Sequence, residues 1–224
     1  MRFVVQSKYD IIEKIIPHFI KYPLVTSKQL NFETLKEASD IVSRGEHLSK
    51  EGLDKILVLK SQMNRNRSFE ELYNYFVTKE IKLNPYWVQA FVDAEGSFTT
   101  LLSKSEDTGK VVTRNRLSIS QSIHDIAVLE AIKDFFGSGY LSPKIEGLGI
   151  DKIKELDRCF YYNSIIETIM PFFEKYPLYT RKQLDFQDFN KFLELRRNKA
   201  HLTEEGYKEM YNLSSNMNSG RDGN

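Results

Sequence analysis

Asp93 and Glu95 stand two residues apart at the end of a short run, Tyr86-Trp87-Val88-Gln89-Ala90-Phe91-Val92, and Gly96 follows them. Asn84-Pro85, just before the run, has the form of a helix start, with Asn as cap and Pro in the first turn. Gly96 is expected to stop the helix as a left-handed residue. Both acids then sit at a helix C-terminus, where the macrodipole is negative and carboxylates are disfavoured. Something must offset that cost, and a divalent cation shared with a DNA phosphate would do so. Ala90 and Ala94 are four apart and lie on one helix face, small enough for a second helix to approach closely. The plainer alternative is a solvated last-turn acid beside ordinary packing alanines.

The elements after the helix must position this tip. Ser97 to Ser103 reads as a strand, Ser105 to Lys110 as a polar turn, and Val111 to Gln121 as a second strand of the hairpin. Strand residues alternate between faces. One face of the second strand carries Arg114, Arg116, Ser118 and Ser120; the other carries Leu117 and Ile119. In the first strand Thr99, Leu101 and Ser103 share a face. A two-stranded ribbon fits the major groove, where Arg pairs well with guanine and hydroxyls tolerate several bases. Thr99, Ser103, Arg114, Arg116 and Ser118 are therefore candidate DNA-reading residues, with Leu101 discordant among them. An ordinary amphipathic strand with its wet side outward would show the same alternation.

Further on, His124 to Phe136 has helical spacing, with Ile126, Leu129, Ile132 and Phe136 on one side. Tyr140 to Ile145 and Arg158 to Tyr162 are predicted strands, and Ile165 to Tyr176, Phe186 to Lys199 and Glu204 to Met217 predicted helices. The order predicts an α+β fold with helices on one face of an antiparallel sheet.

The chain also repeats itself. Residues 11–32 and 165–186, compared at an offset of 154, are identical at 15 of 22 positions. The offset persists without a gap through His47-Leu48-Ser49 against His201-Leu202-Thr203, and Ser61-Gln62-Met63-Asn64 against Ser215-Asn216-Met217-Asn218. A repeat this long indicates a duplicated domain rather than a solenoid unit. Residues 1–67 read as the C-terminal part of a first copy, 68–83 as a partly helical linker, and 84–224 as a complete second copy. In the first copy Phe3 to Gln6 should be a strand and Ile11 to Tyr22 a helix. A twin of the Asp93–Glu95 helix would fall before Met1, so the first copy is expected to lack its helix and hairpin.

Composition narrows the class. The 224 residues carry a net charge of +1, 28% charged and 41% hydrophobic residues. No apolar run nears the roughly 18 residues of a spanning helix, which argues against a membrane protein. The single cysteine, Cys159, excludes a disulfide framework and a cysteine-based zinc cluster. The near-neutral balance argues against a uniformly basic coat, but not against a local basic face. The first residues, MRFVVQSKYD, do not have the form of a secretory signal.

Val88-Gln89-Ala90-Phe91-Val92-Asp93-Ala94-Glu95-Gly96 resembles the LAGLIDADG motif position for position, with Glu at the second acidic place. Trp87, Ser97 and Phe98, the Tyr-Pro-Leu…Lys-Gln block, the His-Leu-Ser/Thr…Glu-Gly block and the Met-Asn pair extend the likeness over nearly the whole chain. The chain thus resembles the LAGLIDADG homing endonucleases of mitochondrial introns. The resemblance implies a duplicated helix–hairpin–helix–hairpin–helix fold with a saddle-shaped antiparallel sheet. It implies hydrolysis of double-stranded DNA, with Glu95 as one metal-binding carboxylate at the foot of paired helices and Asp93 holding the turn. Few protein ligands and oxygen donors suit Mg2+. Gln121 matches a position that would orient water. Lys182, with its repeat twin Lys28, matches a basic position that would stabilise developing charge, though a surface lysine would read the same. The resemblance places the protein in the mitochondrion, made there without a targeting peptide.

Three outcomes are open for the missing helix: supply by sequence upstream, completing a pseudo-dimer within one chain; pairing of second copies in a homodimer; or an inert remnant. A binding-only alternative is a maturase that uses the basic ribbon on intron RNA.

Overall fold

The computed structural model describes residues 4–77, 80–145 and 153–218. The chain divides into two compact units, Met1–Ile81 and Lys82–Asn224.

The first unit is helical throughout its described residues. Helix α1 runs as an α-turn Lys8–Asp10, a π-turn Ile11–Ile15 and an α-segment Ile16–Lys21. Its irregularity has a local cause. Pro17 has no N–H and its ring crowds the carbonyl four residues back, so the ladder loosens by one residue ahead of it. Helices α2 (Lys28–Ser43), α3 (Lys50–Ser61) and α4 (Phe69–Val77) follow. Their buried side chains include Ile16, Leu30, Phe32, Ile41, Leu59 and Leu72, with the Phe19 and Phe32 rings 5.7 Å apart. The expected strand at Phe3 to Gln6 is not formed by Val4, Val5 or Gln6; Phe3 lies outside the described residues. A strand needs a ladder neighbour, and the described residues of this unit offer none. Much of segment 68–83 belongs to this unit: Leu72 is buried, and the Tyr75 hydroxyl donates to Glu33 Oε1 at 3.0 Å.

The second unit opens with α5 (Pro85–Glu95), capped by Asn84, whose side chain accepts from Trp87 N at 2.9 Å. Then come β1 (Gly96–Lys104), β2 (Val111–Ser122), α6 (Ile126–Phe136), β3 (Tyr140–Ile145), β4 (Ile153–Phe160) and helix α7, which repeats the α1 pattern as Tyr162–Ser164, a π-turn Ile165–Ile169 and Met170–Lys175. Helices α8 (Lys182–Arg197) and α9 (Glu204–Ser215) complete it. The four strands form one antiparallel sheet in the order β1-β2-β4-β3. This is the α+β fold with helices on one sheet face.

Two local expectations are corrected. Gly96 is extended (φ −77, ψ 155), not left-handed. Glycine is required there because a Cβ would stand 2.6 Å from Val92 Cγ1 and from Val92 O; the helix thus runs directly into β1. The strand expected at Arg158 to Tyr162 spans Ile153–Phe160, and Tyr162 already begins α7.

Phe98 anchors the helices to the sheet, its ring 5.8, 5.4 and 5.3 Å from those of Phe173, Phe186 and Phe189. Thr100 on the same face exchanges hydrogen bonds with Ser214 of α9, its hydroxyl donating at 2.9 Å. On β2, Asn115, Leu117 and Ile119 point into this core and are buried. Arg158 is the largest fully buried side chain; it donates to the carbonyls of Leu129 (3.1 Å) and Gly139 (3.3 Å) and pairs with Glu130.

The duplication reappears as paired geometry, described within each unit. Gln29 and Gln183 each accept from the backbone N–H five residues before, at 2.9 and 3.0 Å. Ser49 and Thr203 cap α3 and α9. Gly52 and Gly206 have no room for a side chain: a Cβ would lie 2.0 Å from Glu46 O and 2.2 Å from Ala200 O.

Candidate functional site

The tip of α5 is built from both directions. Val88 and Val92 anchor the helix by full burial, and Gln89 donates its side-chain N–H to Pro177 O. Asp93, 9% exposed, points at the Pro177–Lys182 loop and accepts from Tyr179 N (2.7 Å), Thr180 N (3.1 Å) and Thr180 Oγ1 (2.5 Å). Its carboxylate is thereby committed to protein donors.

Lys182 closes the same corner. Its ammonium donates to Val92 O at 3.2 Å and Ala94 O at 3.4 Å. These are last-turn carbonyls that lack intrahelical partners, and a cation beside them complements the macrodipole. Burial pulls the amine below the ordinary lysine range, while the charges of Asp93, Glu95 and Asp185 pull the other way.

Ala90, Ala94 and Glu95 are exposed, and the Trp87 and Phe91 rings stack at 4.5 Å beside them. Among the described residues Glu95 accepts no hydrogen bond and joins no ion pair. Gln121 lies on β2 two residues past Ile119, the partner of Gly96. The structure therefore brings Glu95, Asp93, Lys182 and Gln121 to one corner, where α5 becomes β1.

The sheet face away from the helices carries Thr99, Leu101, Ser103, Arg114, Arg116, Ser118 and Ser120. Arg114, Ser103 and Leu101 are exposed, Arg116 and Thr99 partly so. Thr99 also donates its hydroxyl to Arg116 O at 3.2 Å. Ser118 departs from the accessible row: it is 5% exposed, a short side chain on a central strand between Ser97 of β1 and Cys159 of β4.

Sequence reading missed two aromatic side chains here. Tyr140 pairs with Cys159, which pairs with Ser118, so it stands on the open face. It stacks on Tyr161 at 5.0 Å and 4°, and each is 42% exposed. Placing β4 over 153–160 would have revealed the pair. Asp157, which accepts from Ser120 Oγ at 2.6 Å, was missed for the same reason.

An acid-tipped helix feeding an antiparallel sheet, helices behind and an arginine-bearing face in front, is an architecture shared with DNA-bound nucleases of known structure. The model of the LAGLIDADG endonuclease family matches residues 1–39 and 90–193. "Probable intron-encoded endonuclease 3" of Neurospora crassa is 33% identical over 218 residues, covering 92% of this chain and 40% of that protein. "Probable intron-encoded endonuclease 2" of the same fungus is 27% identical, covering 91% and 47%. The chain thus spans less than half the length of these curated relatives. Among solved structures, the homing endonuclease I-LtrWI bound to target DNA superposes with a TM-score of 0.84 at 28% identity, covering 97% of this chain and 74% of that one. The meganuclease I-SmaMI bound to uncleaveable DNA gives 0.83 at 30%, with the same coverage.

The chain belongs to the LAGLIDADG endonuclease family.

Proposed function

We propose that this chain forms part of a site-specific, intron-encoded endonuclease that binds double-stranded DNA on the open sheet face and hydrolyses it at the Glu95 corner. The observation that carries the reading is the contrast between the two acids. Asp93 is saturated by three protein donors, whereas Glu95 is exposed at the foot of a helix whose small-residue face, Ala90 and Ala94, is also exposed.

That carboxylate fits a divalent ion of the Mg2+ kind, which takes one or two carboxylates and completes its shell with water and phosphate oxygens. Among the described residues no cluster of three or more acidic, His or Cys side chains could cage a metal by itself, so Glu95 would be this unit's ligand. When bound, such an ion lowers the pKa of water and steadies the leaving oxygen. The protein's own residues do the rest. Glu95 supplies the charge that holds the ion. Gln121 orients water by hydrogen bonding. Lys182 lays positive charge beside the corner where phosphate charge develops. Arg114 and Arg116 fix the duplex, with Thr99 and Ser103 beside them, and the Ala90–Ala94 face receives a second helix of the same kind. One carboxylate cuts one strand, so cleavage of both requires that second helix. The kinship to intron-encoded proteins supports synthesis in the mitochondrion.

A cleavage assay with Mg2+ on duplex DNA spanning the intron insertion site tests the reading. The parent protein, with any upstream sequence its gene supplies, is expected to cut, and Glu95→Gln to bind without cutting. Equal cutting by both removes Glu95 from the mechanism; binding of intron RNA without any DNA cutting replaces the reading by a maturase.

A further inference from the structure

We propose that Thr180 is a positioning residue: it carries Lys182 onto the last carbonyls of α5 and so sets the electrostatics of the Glu95 corner. The functional half of this inference rests on the cleavage reading above.

Thr180 is exposed, so core packing does not account for its contacts. Its hydroxyl donates to Asp93 Oδ1 at 2.5 Å, and the same oxygen accepts from Lys182 N at 3.2 Å. Its own N–H and that of Tyr179 meet the same carboxylate at 3.1 and 2.7 Å. Three donors of one dipeptide thus converge on the motif helix, and one acceptor turns the chain into α8, whose first residue is Lys182.

The duplication provides an internal control. In the first unit Thr26 Oγ1 accepts from Lys28 N at 3.4 Å, and Gln29 N donates to Thr26 O at 2.9 Å. In the second, Gln183 N donates to Thr180 O at 3.0 Å. The turn therefore forms from its own sequence, because the described residues of the first unit include no counterpart of α5. What differs is the grip of Asp93. Lys28 is exposed, whereas Lys182 is half-buried with its amine on Val92 O and Ala94 O. A free turn leaves its lysine in water; a turn bound to the helix through Thr180 delivers it to the helix end.

Thr180→Val keeps the shape and removes the hydroxyl; Thr180→Ser keeps the hydroxyl. Amide hydrogen exchange, read by NMR, compares each residue with its twin. In the parent, Tyr179 and Thr180 are expected to exchange more slowly than Val25 and Thr26. In Thr180→Val, Lys182 should exchange like Lys28, while Thr180→Ser retains the parent pattern. Single-turnover cleavage by Thr180→Val should fall about ten- to hundred-fold, the scale of a misplaced catalytic group, with DNA Kd within about two-fold. Thermal melting confirms that both variants fold. The proposal is overturned if Tyr179 and Thr180 exchange as fast as their twins, if Thr180→Val changes neither exchange nor rate, or if rate and affinity fall together. Should the parent itself not cut, the cleavage reading fails, and the exchange comparison alone decides the latch.

Discussion

Arg158 of β4 donates through Nε to the carbonyl of Leu129 at 3.1 Å, tying the sheet to the middle of α6 from a side chain only 2% exposed. Its Nη1 also holds Gly139 O, and Glu130 balances its charge at 3.1 Å. Removing one member of such a buried set strands its partners. Arg158→Ala is expected to cost about 3–5 kcal/mol. Urea denaturation measures it; a loss near that of an exposed arginine would show that the carbonyls find other donors.

Gly206 sits in α9 where a methyl group would meet Ala200 O at 2.2 Å, and Gly52 faces Glu46 O in the same way. Alanine in a helix interior normally stabilises relative to glycine. Here the sign reverses: Gly206→Ala and Gly52→Ala should each destabilise by about 1–3 kcal/mol through overpacking. Thermal melting reads the direction, and a raised midpoint for either variant contradicts the packing.

Burial holds the Lys182 amine below its ordinary value. The unfolded chain therefore binds more protons than the folded one between the lowered folded pKa and the unfolded lysine value of about 10.4. Stability contributed by this group rises with pH across that window. Lys182→Met should flatten that alkaline rise relative to the parent. Lys55 and Lys191, whose pKa values are raised by Glu51 and Glu209, slope the other way but are present in both proteins. An unchanged difference between the two curves from pH 8 upward would refute the assignment.

DNA affinity should fall steeply with salt, because phosphate contacts release counterions. Where Arg114 or Arg116 touches phosphate, its alanine variant should lower the log–log salt slope by about one. Tyr140→Ala and Tyr161→Ala should weaken binding while leaving that slope intact, since an aromatic pair carries no charge. Filter binding at several salt concentrations separates the two classes. A slope change from either tyrosine variant would move the pair out of the apolar part of the surface.

The helical parts were legible because their causes are local. Asn84-Pro85 sets its own cap, and the 154-residue repeat announces itself by identity. The first hairpin was legible because alternation in β2 is strict around Arg114 to Ile119. What escaped was non-local. The glycine after Glu95 looks like a left-handed stop in sequence; only the close approach of Val92 shows that it is an extended hinge. The β4 register, and with it Tyr140, Tyr161 and Asp157 on the open face, depends on pairing across a connection whose residues carry no alternation. Thr180 looked like one polar loop residue among several until Asp93, 87 positions earlier, was brought against it. The burial of Ser118 likewise follows from its neighbours on two other strands rather than from its own type.

The loosened turn ahead of Pro171 has a mechanical corollary. Ile165, Ile169 and Phe173 are all fully enclosed although they recur at intervals of four, a beat that drifts around a regular α-helix. The wide turn absorbs the drift. Excising one residue from 165–169 would restore ordinary winding and swing everything downstream by about 100°. Phe173 would rotate away from Phe98. The length of this stretch is thus a gear ratio: residue types there can be exchanged within the apolar set, but the tooth count cannot change, and the same holds for the stretch before Pro17.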